Sequence, residues 1–141
     1  MANSDNVVRA GLTPKFRDVD VLVDMLTYAT GPAEVLAAQA HGANVTKFCP
    51  PVPEFEMFVV DVPAGAEGAA GVATLPAAHN GPWLWIVVSG SASASLGGGA
   101  SGTEPSEWCA RDVYYVPPAC ELVLTAGKEG MKAFGSRCPA K

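Results

Sequence analysis

Apolar residues follow a helical spacing near the start of the chain. This spacing predicts a helix over Asp18–Tyr28, with Asp18 as its N-terminal cap and the acidic Asp20 in its first turn. Its apolar stripe consists of Val21, Leu22, Met25 and Leu26. Gly31-Pro32 ends the helix, and a shorter helical turn is predicted over Ala33–Ala40.

From Phe55 onward, short apolar segments alternate with Gly and Pro, which is typical of β-strands. The predicted strands are Phe55–Val62, Ala69–Leu75, Trp83–Val88, Ser91–Leu96, Glu107–Cys109, Asp112–Val116, Cys120–Leu124 and Met131–Gly135. No helical pattern lies between them, so the sequence predicts an antiparallel sandwich or barrel. Phe48–Pro53 is rich in proline and is predicted to be an extended connector. We therefore divide the chain into a first segment, 1–47, and a β domain, 48–141.

Alternation within the strands predicts which side chains form the core. Along the first strand, one of two sets faces inward: Phe55, Met57 and Val59, or Phe58, Val60 and Val62. Trp83 and Trp85 share a face, and the sandwich core is their expected position. A sugar-stacking platform is the alternative for these indoles. Gly97–Gly99 are predicted to form the tip of a hairpin.

Composition and charge exclude several classes of protein. The 141 residues suit one domain, and 49% of them are hydrophobic, which excludes disorder. The net charge is −5, with nine basic residues against 14 acidic ones, so we expect no nucleic-acid or anionic-membrane partner. The longest apolar run, Trp83–Val88, is far too short to span a bilayer. The first residues do not resemble a secretory signal.

The cysteines and histidines do not suggest a metal or nucleophile site. The cysteines, at positions 49, 109, 120 and 138, contain no C-x-x-C pair and are expected to be reduced thiols of a cytoplasmic protein. His41 and His79 are far apart and are each expected to be exposed loop residues. No G-x-S-x-G motif or phosphate-binding loop is present.

The N-terminal stretch contains the best candidate for chemistry. Arg9 lies between Val8 and Ala10, and Gly11 allows close backbone approach. A guanidinium held on such a segment suits a phosphate or a developing oxyanion, and Lys15 adds a second cation. The alternative is a surface arginine on a connector.

This stretch also resembles a known family. Residues 4–19, SDNVVRAGLTPKFRDV, followed by Leu22 and Met25–Tyr28, resemble the signature of type I phosphomannose isomerases. Pro50–Phe55 is similar to the entry into that family's last domain. Gly81–Gly90 and Trp108–Pro117 resemble a cupin half-barrel without its metal-binding histidines. The resemblance implies a mainly β, cupin-like jelly-roll sandwich preceded by a short helical segment.

The resemblance also implies an activity and a site. Members are zinc-dependent enzymes that interconvert mannose 6-phosphate and fructose 6-phosphate in carbohydrate metabolism. Arg9 matches the family's catalytic arginine, and Lys15 and Asn6 are expected to bind substrate. The zinc ligands of the family lie upstream of the signature, so we expect no zinc to bind this chain alone.

The resemblance therefore implies that this chain is the C-terminal segment of such an isomerase. Its expected partners are the sugar phosphate and the missing N-terminal part of the enzyme, without which it is expected to be inactive. The alternative is a non-catalytic cupin-like module that binds a sugar or another protein.

Overall fold

The structure is a computed structural model that describes residues 8–9, 11–77, 81–98 and 104–138. The chain divides into two compact units, Met1–Val35 and Leu36–Lys141. Its regular elements, in chain order, are α1 (Val19–Met25), β1 (Gln39–Gly42), β2 (Val45–Phe48), β3 (Glu56–Val62), a 3-10 turn (Gly68–Gly71), β4 (Val72–Leu75), β5 (Trp83–Gly98), β6 (Ser106–Cys109), β7 (Val113–Val116) and β8 (Cys120–Arg137).

The first unit contains α1, which is shorter than predicted. Asp18 caps it as expected, because its side chain accepts a hydrogen bond from the backbone N–H of Val21 at 3.1 Å. The helix ends at Met25, where Leu26 already has an extended backbone. Tyr28 therefore lies beyond the helix, and its hydroxyl donates a hydrogen bond to the carbonyl oxygen of Val23 at 3.1 Å. No residue of α1 is buried, so this helix provides no core for its own unit.

The second unit is an antiparallel β-structure, as predicted. Its strands follow the order β1-β2-β3-β8-β5-β6, with β4 also paired to β8 and β7 also paired to β5. The first half of β8 pairs with β4 and the far half of β5, and its second half pairs with β3 and the near half of β5. The two long strands therefore belong to both layers of a sandwich.

The long strands correct the prediction that each was two separate strands. Ser89-Gly90 is not a turn but a bulge, where the register of β5 against β8 shifts. Gly90 has a φ of +73°, and a Cβ there would lie only 2.0 Å from the carbonyl oxygen of Gly130. Glycine thus permits a bend without ending the strand. Gly127, also predicted to separate strands, lies within β8.

The segment between the units also differs from the prediction. The helical turn expected over Ala33–Ala40 is wrong, since residues 33–38 are irregular and β1 begins at Gln39. The predicted first segment, 1–47, contains β1 and most of β2, and the structure pairs β1 with β2 and β2 with β3. The extended connector begins after Phe48, which is the last residue of β2.

The core lies between the two layers. Phe58, Val60 and Val62 face inward from β3, and Trp83 and Trp85 are only 2% and 1% exposed. Their burial confirms the core assignment and excludes a stacking platform built on these indoles. The two rings stack at 5.5 Å, and the buried Trp108 stacks on Tyr114 at 4.3 Å. β5 and β6 form the predicted antiparallel hairpin. Gly97 and Gly98 do not form its tip as predicted, because both lie within β5 and pair with β8, and Gly99 lies outside the described residues.

Candidate functional site

A backbone hydrogen bond closes the loop that contains Arg9. The N–H of Asp18 donates to the carbonyl oxygen of Arg9 at 2.8 Å. Because Asp18 also caps α1, the backbone of Arg9 is tied to the first turn of that helix. Arg9 is half-buried. This arrangement restricts the backbone from which the guanidinium extends.

The two predicted cations lie on the same loop. Lys15 is exposed, and its backbone N–H donates to the Thr13 hydroxyl at 3.2 Å. Neither the Arg9 guanidinium nor the Lys15 ammonium has an ion-pair partner within the described residues. Asn6, the third predicted site residue, lies outside the described residues.

A second group of charges lies at one end of the sandwich, in the other unit. We call it the barrel-end cluster, and it consists of His41, Lys47, Glu56 and Arg137. Glu56 and Arg137 face each other across β3 and β8, and Arg137 in turn faces Trp83 on β5. One oxygen of Glu56 lies 2.5 Å from Lys47 Nζ, and the other lies 2.5 Å from Arg137 Nε.

The carboxylate of the cluster is the most deeply buried of its charges. The Glu56 side chain is 7% exposed, against 22% for Lys47 and 15% for Arg137. Burial alone would raise the pKa of Glu56, but the hydrogen bonds and charges of Lys47 and Arg137 hold that pKa below its ordinary value. The hydrogen bond to Glu56 likewise raises the pKa of Lys47.

Aromatic rings form the floor beneath these charges. The Arg137 guanidinium lies 4.3 Å from the Trp83 ring centre and 5.0 Å from that of Phe58. Lys47 Nζ lies 5.6 Å from the same Phe58 ring, and the His41 ring packs edge-on against it at 5.2 Å. Phe58 is fully buried, so three basic side chains surround one water-free ring.

His41 does not occupy an exposed loop, which corrects that prediction. It lies in β1 and is half-buried, and its Nε2 atom is buried with no hydrogen-bond partner within the described residues. Desolvation lowers the pKa of His41, and the positive charges of Lys47 and Arg137 lower it further. The ring is therefore neutral near pH 7. His79 lies outside the described residues.

Strands β3, β5 and β7 present exposed apolar side chains on the surface that faces away from the core. We call it the outer apolar face, and it consists of Met57, Leu84, Ile86, Val88, Val113 and Tyr115. Neighbours across β5 and β7 make it continuous, since Leu84 pairs with Tyr115 and Ile86 with Val113. Each of these six side chains is at least 40% exposed. A contiguous apolar surface of this kind is typical of an interface.

No metal centre is formed by the part of the chain that the structure describes. No group of three or more His, Cys, Asp or Glu side chains there is arranged to hold a metal ion. Cys49, Cys109 and Cys120 are free thiols. None of the described helices is long and apolar enough to cross a membrane.

Comparison with known proteins identifies relatives along nearly the whole chain. Mannose-6-phosphate isomerase 2 of Arabidopsis thaliana is 37% identical over 134 residues, which cover 95% of this chain and 28% of the relative. The chain is related to the C-terminal portion of the mannose-6-phosphate isomerases. The Aspergillus fumigatus isomerase is 41% identical over 153 residues, covering 98% of this chain and 31% of the relative. No family model matches the chain. The chain thus spans about a third of the length of these relatives.

Solved structures agree on the fold. A mutant of phosphomannose isomerase from Salmonella typhimurium superposes with a TM-score of 0.70 and 21% identity, covering 99% of this chain and 32% of that one. An RmlC-like cupin from Shewanella frigidimarina gives a TM-score of 0.53 at 17% identity, covering 82% and 93%. The predicted cupin-like fold is confirmed.

Sequence reasoning missed the barrel-end cluster. Lys47, Glu56 and Arg137 belong to three strands, and the latter two are 81 residues apart in the chain. One signal was available: Glu56 precedes Phe58, Val60 and Val62 at a spacing of two, so it shares their inward face. A carboxylate on a buried face requires a cationic partner, although the sequence does not say which one.

Proposed function

We propose that this chain is the C-terminal part of an enzyme that interconverts mannose 6-phosphate and fructose 6-phosphate, with Arg9 in its active site. The family relationship supports the reaction. The geometry of Arg9 supports the role, because its backbone is tied to α1 while its guanidinium has no described ion-pair partner. The lack of an ion-pair partner for this guanidinium among the described residues is the observation on which the assignment of Arg9 depends.

The chemistry of the reaction explains why an arginine suits this position. Converting an aldose into a ketose moves a proton between C2 and C1 and passes through an enediolate, whose oxygens carry negative charge. A guanidinium already aimed at those oxygens stabilises charge that develops only in the transition state. Arg9 would make this contact without first breaking an ion pair to any of the described residues.

Lys15 and Asn6 are proposed to bind the substrate. An exposed ammonium suits a phosphate group, whose charge is the same in the ground state and the transition state. Lys15 would therefore contribute to affinity, and Arg9 to rate. Asn6 belongs to the same sequence motif and is assigned to the substrate by that position alone.

Zinc, which the family resemblance implies, does not fit the residues described in this chain. They offer no group of three ligands, and neither described segment of the Arg9 loop contains a histidine. We therefore propose that any zinc of the complete enzyme is held by residues outside this chain. The role assigned to Arg9 does not depend on it.

The remainder of the isomerase is the proposed partner. α1 contributes no buried residue, and the outer apolar face is exposed on the second unit. Both features suit a chain that completes its packing against other parts of a longer enzyme. The free thiols of Cys49, Cys109 and Cys120 support a reducing compartment such as the cytoplasm.

A non-catalytic interaction module is the second candidate, and the outer apolar face is the observation that favours it. The two functions differ in whether the chain contributes to turnover. An interaction module would bind the remainder of an isomerase, or another protein, without supplying any group to the active site.

A chimeric enzyme distinguishes these functions. The upstream portion of the Arabidopsis isomerase is joined to this chain at the point where the alignment begins, and isomerase activity is measured in a coupled assay. We expect activity from the chimera and none from the isolated chain. A folded chimera without activity, alongside an active parent enzyme, would contradict the catalytic proposal and favour the interaction module.

A further inference from the structure

The barrel-end cluster carries more positive charge than its structure requires. Lys47 and Arg137 share a single carboxylate, that of Glu56, while His41 is neutral. The cluster therefore has a net charge of about one positive unit at side chains that are mostly buried. An uncompensated charge in such surroundings is costly, and a bound anion would relieve that cost.

Hydrogen-bond donors in the cluster are left over as well. Arg137 reaches Glu56 through Nε alone, and within the described residues its two terminal amino groups have no acceptor. Lys47 Nζ has three protons, of which one points to Glu56 and one to the Cys49 side chain, so that one is left over. The buried Nε2 of His41 has no partner within the described part of the chain. A buried nitrogen without a partner calls for an explanation, and an absent ligand is one.

These donors lie around one buried aromatic ring. The Arg137 guanidinium, the Lys47 ammonium and the His41 ring lie 5.0, 5.6 and 5.2 Å from the centre of the same Phe58 ring. Phe58 is fully buried and Trp83 nearly so, which makes the floor apolar. Charged hydrogen bonds above such a floor are stronger than in water.

We propose that the barrel-end cluster binds a small oxyanion, which is a carboxylate or phosphate group. The free side of the Arg137 guanidinium matches two anion oxygens, and Lys47 supplies a further charged donor. His41, as the neutral Nε2–H tautomer, donates one more hydrogen bond. A metal cation does not suit the site, because both Glu56 oxygens already accept from cations. All four residues of the cluster belong to the second unit, and the proposal does not depend on the proposed isomerase activity.

His41→Phe is the most informative variant. It keeps an aromatic ring against Phe58 while removing the nitrogen, and it leaves the Lys47–Glu56–Arg137 ion pairs in place. Replacing Lys47 or Arg137 would instead strand the buried Glu56 and risk unfolding. If the cluster only stabilises the fold, His41→Phe should not change the affinity for any anion.

The test is a titration of the full chain with inorganic phosphate and, in a second arm, with acetate, at constant ionic strength. Binding is followed by calorimetry and by the ring ¹H–¹⁵N signals of the two histidines. We expect saturable one-to-one binding that shifts the His41 signals, and affinity about five- to tenfold weaker in His41→Phe, as for one lost hydrogen bond. Binding of only one anion would assign the site to that class.

Two control variants separate this site from other cations. Lys132→Ala removes the exposed Lys132–Asp61 ion pair, and Lys15→Ala removes the cation of the Arg9 loop. Both should keep the His41 shifts and the affinity of the barrel-end cluster. Absence of saturable binding to both anions would overturn the proposal, as would binding that is equally tight in His41→Phe or is lost in Lys15→Ala.

Discussion

Gly135 lies directly beneath the Trp85 ring. The two residues face each other across β5 and β8, and a Cβ on Gly135 would lie 2.5–2.6 Å from three indole carbons. Trp85 is 1% exposed, so its ring is packed within the core. Glycine at this position is therefore a packing requirement of the core.

Gly135→Ala should lower the free energy of unfolding by about 1–3 kcal/mol, because the added methyl group overpacks the core. Urea unfolding monitored by tryptophan fluorescence measures this. Gly42→Ala is the matched control, since a Cβ there meets only one carbonyl oxygen at 3.9 Å. Equal stability of the two variants would mean that Trp85 does not cover Gly135 in solution.

Two groups of the barrel-end cluster make the fold sensitive to acid. The pKa of His41 is lowered from 6.5 by burial and the nearby cations, and that of Glu56 is lowered from 4.5 by its hydrogen bonds despite burial. In each case the folded state binds the proton less readily than the unfolded state. Stability is therefore highest above pH 6.5 and falls as the pH drops, first through His41 and then, below 4.5, through Glu56.

Glu56→Gln tests this pH dependence. It strands two cations, so we expect a loss of about 3–5 kcal/mol at pH 7. The remaining stability should then change less than that of the parent chain below pH 4.5. Unfolding midpoints measured across the pH range give both effects. Glu129→Gln, an exposed carboxylate, is the control and should reproduce the parent profile.

The sequence correctly predicted the positions of residues whose roles depend on others only a few residues away in the chain. Asp18 caps α1 because an aspartate one residue before a helix can bond the third N–H, and Trp83 and Trp85 share a face because they are two apart. His41 could not be predicted in this way. Its burial depends on Phe58, which reaches it through the β1–β2–β3 pairing rather than through adjacent residues.

At the scale of elements, β5 and β8 determine the architecture. Each passes through both layers, and Gly90 and Gly130, both with a φ near +75°, lie at their bends. Glycine in a strand indicates either a turn or a bulge, and the sequence alone does not distinguish the two. The sequence did not predict β1, for a different reason. Its residues, Gln39–Gly42, are mostly exposed and carry no apolar alternation.

The outer apolar face is the element whose role is most easily tested. Ile86→Lys places a charge at its centre, on a side chain that is already 46% exposed. The unfolding midpoint of the isolated chain should change little, by less than about 1 kcal/mol, while the chimera should lose thermal stability. Thr74→Lys, on an exposed position of β4, is the control and should affect neither protein. If Ile86→Lys leaves the thermal stability of the chimera unchanged, the outer apolar face is not covered in the complete enzyme.

At the scale of the whole molecule, the fold and the proposed active site belong to different units. The cupin-like sandwich occupies Leu36–Lys141, whereas Arg9 and Lys15 lie in the first unit. Strand periodicity predicted the sandwich, because its core is formed by residues of this chain. The role of Arg9 was inferred instead from a sequence motif, since the zinc ligands implied by the family resemblance are proposed to lie outside this chain.

The catalytic role of Arg9 is the central claim, and the turnover number of the chimera tests it most directly. Arg9→Ala should lower kcat by about 10²–10³ with folding intact, as for loss of a preorganised donor. Arg17→Ala removes an exposed arginine of the same segment and should leave kcat within about twofold of the parent, as for an ordinary surface position. If the Arg9→Ala chimera keeps the parent kcat, Arg9 is not a catalytic residue and the proposed function of this segment is wrong.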